Sequence, residues 1–202
     1  MQLKPRRIIS LAILFAALIV LVLMLQKPAP VGHSQASAAI VQNAQSFDQK
    51  MAEFDQATRS SVLSGIADKA EIRINADEVS AVLAQSIGTS GAPLTPNSNI
   101  GATPPPIKDQ RISFEGDLAH GQFLTEIAGK DVWITISGHL GAKDGYATFD
   151  PTEFKVGDLN VPVSLVNPQL QKKLAEQRDR LKLPDNVGSL KVESSELVMQ
   201  QR

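Results

Sequence analysis

Three histidines, His33, His120 and His139, are the only imidazoles in the 202-residue chain. Each would need a second group at ligand or relay spacing to do chemistry. None has another ligand-type residue at metal-binding spacing, so they read as solvated histidines of a spacer, a turn and an outward strand face. Glu115 and Asp117 could be taken as a carboxylate pair for acid–base work. The alternation around them reads instead as a solvated sheet face. Asp144, Asp150 and Asp158 fall at turns, where Asp bonds its local backbone, and they do not form an EF-hand loop. There is no GxSxG, phosphate-cradling glycine loop or HExxH. Cysteine is absent, which removes disulfides, thiolate metal sites and a lipoprotein anchor. The expectation is a non-enzymatic protein with no catalytic residue, metal or cofactor.

The elements that carry these residues alternate with period two. Ile112, Phe114 and Leu118 fall on one side, and Arg111, Ser113, Glu115 and Asp117 on the other. His120-Gly121 reads as a turn. Phe123, Thr125 and Ile127 alternate with Gln122, Leu124 and Glu126, and Gly129-Lys130 turns again. Val132, Ile134, Ile136 and Leu140 lie opposite Trp133, Thr135, Ser137 and His139. Asp144-Gly145 is a strong hairpin signal, after which Ala147 and Phe149 point inward. This predicts an antiparallel meander with one apolar face. Pro151 should end the last long strand, and Gly157-Asp158 should turn the chain.

Helices should surround this meander. From about Ala38, residues Ile40, Ala44, Phe47, Met51 and Phe54 repeat like a heptad seam. The pattern fits an amphipathic helix packed on its own domain, or a self-association seam through Ile40, Phe47, Met51 and Phe54. Glu71 to Ile74 could be a short strand. Asn75 then caps a helix, with Glu78 completing a capping box. Val79, Val82, Leu83 and Ile87 form its apolar face, and Gly88 should end it. Residues 88–108 read as a flexible Pro/Gly-rich loop. Asn167-Pro168 reads as the start of a covering helix whose stripe is Leu170, Leu174 and Leu181. A final strand runs from about Leu190 to Met199.

The run Ile8 to Leu25 carries no charge and spans roughly 27 Å as a helix. Lys4, Arg6 and Arg7 precede it. The positive-inside rule predicts a single-pass anchor with a cytoplasmic N-terminus and an extracytoplasmic domain, periplasmic or extracellular. Residues 1–25 would be stub and anchor, 26–37 a spacer, and 38–202 the domain. A cleaved signal peptide with its site at Ala36-Ser37-Ala38 is the rival reading. Beyond the run stand 17 bases and 21 acids, a balance of −4 without a basic stripe. That makes nucleic acid a poor partner.

A one-sided apolar sheet must be covered. Where helices leave a groove, lipid or another apolar ligand is the expected occupant. The order of elements, from INADEVSAVLAQ through the proline-rich loop and meander to VGDLNVPVSLVN, resembles the YpmS-like family of single-pass bacterial proteins. The tail LPDNVGSLKVESSELVM is similar to the closing pattern of the LmeA-like phospholipid-binding family. The resemblance implies an α+β fold with a TULIP-like or related curved sheet around a helix. Lipid would then lie in a groove lined by Phe114, Ile134, Ile136, Phe149, Phe154, Val156, Leu159, Val161, Leu170 and Leu174. The alternative is an envelope assembly scaffold of the pilus or secretion-platform kind, interacting through its juxtamembrane helix.

Overall fold

Turn chemistry determines how the strands succeed one another. The computed structural model describes residues 17, 19–64, 69–90 and 107–202. Residues 19–25 are helical, and an irregular segment leads to α1 (Ser37–Ser64). Then come β1 (Glu71–Ile74), α2 (Ala76–Ser90), β2 (Ile107–Glu115), β3 (Leu118–Ile127), β4 (Lys130–Lys143), β5 (Tyr146–Val156) and β6 (Leu159–Asn160). The chain closes with α3 (Val163–Glu176), a 3-10 turn (Arg178–Leu181), β7 (Val187–Glu193) and β8 (Glu196–Gln201). Ala128-Gly129, Asp144-Gly145 and Ser194-Ser195 each place two successive residues at positive φ. That is the backbone a two-residue hairpin between twisted strands requires.

All strand pairs are antiparallel and form two sheets, ordered β1-β8-β7 and β2-β3-β4-β5-β6. The main core lies between them and α1. Phe54, Ile72, Ile74, Val187, Leu190, Val192 and Met199 meet Phe114 and Ala119 from the larger sheet, with Leu140, Ala142 and Ala147 packed alongside. Only one end of the larger sheet's apolar face is therefore used by this core. A capping box starts α2 as expected: Glu78 N–H donates to Asn75 Oδ1 at 2.8 Å, and Asn75 N–H to Glu78 Oε2 at 2.9 Å. The same carboxylate takes Lys50 Nζ at 2.8 Å and the Ser46 hydroxyl, which ties α2 to α1. Burial pushes this carboxyl up, but the bonds from Lys50, Ser46 and the Asn75 amide outweigh it and hold it below the usual carboxylate range.

Several expectations are corrected. The α+β class stands, but no sheet closes: in each strand order the two end strands are unpaired with one another. A TULIP-like curved sheet around a helix is not what forms. No helix among the described residues is long and apolar enough to cross a membrane. Most of the Ile8–Leu25 run lies outside the described residues, and its end docks on the domain, where Asp158 N–H donates to the Leu23 carbonyl at 2.9 Å. The single-pass anchor, and the membrane localisation and topology that follow from it, therefore lose their basis. The self-association seam is spent within the chain: Phe54 is buried in the core, and Phe47 and Met51 pack against it. That also removes the surface a scaffold of the pilus or secretion-platform kind would use.

Local boundaries differ for physical reasons. The β2–β3 turn falls at Gly116, with φ 61°, so His120 and Gly121 lie inside β3 and not in a turn. Pro151 does not end β5; it sits opposite Gly138, next to a register shift at Ser137/Gly138. A bulge is where a sheet tolerates proline. α3 begins at Val163, and Pro168 falls inside it. The final strand is a hairpin, because Ser194-Ser195 turns the chain where no glycine marks a turn. The predicted loop 88–108 falls largely on residues outside those described.

Candidate functional site: a strapped polar sheet face

The register sorts the five-stranded sheet into two faces. Arg111 pairs with Gln122, and Gln122 with Thr135. Ser113 pairs with His120, His120 with Ser137, and Ser137 with Glu153. Leu124 pairs with Trp133. These residues share one face because side chains one strand apart in register point the same way. By sequence it is the solvent face. In the structure Gln122, Thr135 and Ser137 are 1%, 3% and 2% exposed, and Trp133 is 8% exposed.

The cover is the chain's own segment from Leu23 onward. Leu23 and Met24 lie against the β5–β6 turn, where a Cβ on Gly157 would meet both carbonyl oxygens at 2.4 Å. Pro28 is buried. At β3 the Gln122 side-chain amide donates to the Ala29 carbonyl at 2.9 Å. At β2 a Cβ on Gly32 would stand 2.7 Å from the Ile112 carbonyl oxygen and 3.7 Å from Arg111 Cβ. Gln35 then bonds Asp77 at the start of α2. The segment thus travels from β5 to β2, over β4 and β3. Strands lie ~4.8 Å apart, so it must be drawn out to make the crossing. Pro28 and Pro30 favour that, since their fixed φ resists helix formation and suits an extended chain.

Beneath the strap is a polar network with unfilled positions. The Gln122 amide also reaches Thr135 Oγ1 at 3.2 Å. His120 Nδ1 lies 2.8 Å from Ser137 Oγ, and that hydroxyl lies 3.4 Å from Glu153 Oε2. His120 Nε2 is 3.9 Å from Glu115 Oε2 and has no hydrogen-bond partner among the described residues. The Arg111 guanidinium stacks over Trp133 at 4.9 Å and reaches Asp109 at 3.4 Å, while its Nε is buried and without a partner among the described residues. Serine, histidine and carboxylate side by side invite comparison with a hydrolytic triad. In a triad the carboxylate orients the histidine; here Glu153 lies against the serine, and Ser137 is 2% exposed.

The opposite face carries the residues expected to line a groove. Phe114 is buried in the core. Ile134, Ile136, Phe149, Phe154 and Val156 share the apolar face by register and are half-buried. Leu159, Val161, Leu170 and Leu174 are half-buried too, and α3 has no buried residue. The cavities found lie elsewhere: about 250 Å³ beside Gln35 and Lys108, about 460 Å³ beside Gly32 and Asp77, and about 300 Å³ beside Lys50 and Arg73. Of the ten expected groove residues only Phe114 borders one of these. Among the described residues, none of these three cavities lies between the meander and α3, so a lipid or other apolar ligand in a groove there is without support.

No group of three or more acidic or imidazole side chains that could hold a metal occurs among the described residues. Sequence reasoning missed Gln122, Arg111 and Trp133 as site residues because alternation placed them outward. The one available signal was a Trp among polar neighbours, and it is visible only once the strap is known. Fold and site define a two-sheet antiparallel α+β protein whose polar sheet face is occupied by its own N-terminal segment. No protein-family model, curated protein or solved structure matches the chain.

Proposed function

We propose that the protein is a non-enzymatic binding module whose working surface is the polar face of the five-stranded sheet. Its ligand is an extended, proline-bearing polypeptide segment. The observation that carries this reading is the contact between the Gln122 amide and the Ala29 carbonyl. A 1% exposed amide side chain reads main chain, which any extended peptide presents. An aromatic ring stacked under an arginine and a peptide with fixed proline φ angles are the parts of proline-segment recognition.

The test uses the full chain with residues 26–33 replaced by a Gly/Ser linker of equal length, its fold checked by circular dichroism. A fluorescent peptide of residues 26–34 is added and its anisotropy measured. Saturable binding is expected, with at least tenfold loss in the Gln122→Leu variant of the same chain. Binding no better than that of a scrambled peptide would exclude the reading.

A further inference from the structure

The strap is an incomplete occupant of the face it covers. Arg111 carries a permanent charge and five donors, its side chain is 13% exposed, and its only ion pair is the 3.4 Å contact to Asp109 among the described residues. Its Nε has no acceptor among the described residues. A buried donor without an acceptor is unfavourable, so the strap leaves stabilisation unclaimed. The vacancy has an address along the strap. Ala29 lies over Gln122, which pairs with Arg111, and Gly32 lies against Arg111 Cβ. Pro30 and Val31 fall between those two points, and neither brings a charge or a side-chain acceptor.

Resting on the binding reading above, we propose that the intended ligand is a partner protein's segment of the same build as the strap but acidic at the position of Val31. The strap is its weaker internal competitor. The glycine is part of the requirement, because no side chain fits between residue 32 and the Ile112 carbonyl. A carboxylate one residue earlier would give Arg111 Nε the acceptor it lacks among the described residues, a second charge-assisted bond beside the one to Asp109. The free chain would then hold its face closed, and a partner would open it by supplying that bond. An internal segment competes at an effective concentration in the millimolar range, so a partner without the extra contact would rarely displace it.

Two peptides separate the possibilities: QKPAPVGHS, the strap sequence, and QKPAPDGHS, with the acid in place. On the linker-replaced chain the acidic peptide should bind about tenfold more tightly. The advantage should shrink as salt is raised from 50 to 500 mM and vanish in the Arg111→Gln variant of that chain. On the wild-type chain it alone should displace the strap, read as increased exchange of the Asp158 amide, whose acceptor is Leu23 O. Exchange of the β3–β4 ladder amides should stay unchanged, which excludes unfolding. Equal binding of the two peptides, or an advantage that survives Arg111→Gln or high salt, would overturn this proposal and leave the binding reading standing. Failure of both peptides on the linker-replaced chain would overturn the reading itself. If Arg111→Gln does not fold, the salt series on the unmutated arginine decides.

Discussion

The two faces of the five-stranded sheet come from the same strands and meet opposite conditions. The face rich in Ser, Thr, Gln and Arg is covered by residues 23–33, with Thr135 and Ser137 almost without solvent contact. The face rich in Ile, Phe and Val is buried at its two ends, at Phe114 and at Val132, and half-open between them along Ile134, Ile136 and Phe154. Hydropathy alone ranks them the other way. The polar face can be buried because its groups have been given partners: Thr135 by Gln122, Ser137 by His120, and Gln122 by a backbone carbonyl of the strap. Burial of a polar group is tolerated when it is bonded, and a strap of backbone supplies acceptors that an apolar helix face could not.

The sharpest break of this comparison is a carboxylate placed on each face in turn. Thr135→Asp should destabilise the protein by about 3–4 kcal/mol, since it puts an unpaired charge under the strap. Ile136→Asp should cost only about 1.5–2.5 kcal/mol, because a charge there can reach water at a half-open surface. Chemical denaturation of the two variants gives the order, and the reverse order would mean that the polar face is not sealed.

Glu78 is the second lever. It holds α1, α2 and the Asn75 cap together, away from both faces. Its folded pKa lies below the ordinary value of 4.5, so its stabilisation is complete above the unfolded pKa and is lost as pH falls through the folded one. Glu78→Gln should lower stability by about 2–3 kcal/mol at neutral pH. It should also flatten the fall of the melting temperature below about pH 5. A parallel pH profile in wild type and variant would remove the assignment. The smallest effect is expected at Leu170. Leu170→Ala should cost under about 1 kcal/mol, because α3 buries no residue. A larger loss in thermal melts would mean that α3 seals the apolar face after all.

Much of the architecture is determined locally and can be read from the chain. The capping box at Asn75 and Glu78 needs only residues three apart. The Asp144-Gly145 hairpin needs only two residues that accept positive φ. The assignment of Phe114, Ile134 and Ile136 to one side needs only the period of a strand, and the register agrees. Where the sequence misled, the local signal was weak or pointed elsewhere. Ser194-Ser195 turns without glycine, helped by contacts to Gly116, a residue far away in sequence. Pro151 continues a strand because a bulge on the pairing with β4 accommodates it.

Which face is covered was decided only in three dimensions. Alternation says which side chains share a side; it does not say what lies over them. The residues that cover the polar face, around Pro28, Ala29 and Gly32, read as a spacer because they have neither periodicity nor apolar bulk. Their role comes from backbone: a carbonyl at Ala29 within reach of Gln122, and the missing side chain at Gly32 that lets the strap pass the Ile112 carbonyl. Every residue offers backbone carbonyls, and a glycine marks only an absence. Side-chain patterning therefore determined the sheet, while backbone contacts between segments about ninety residues apart, formed only on folding, decided which of its faces is sealed.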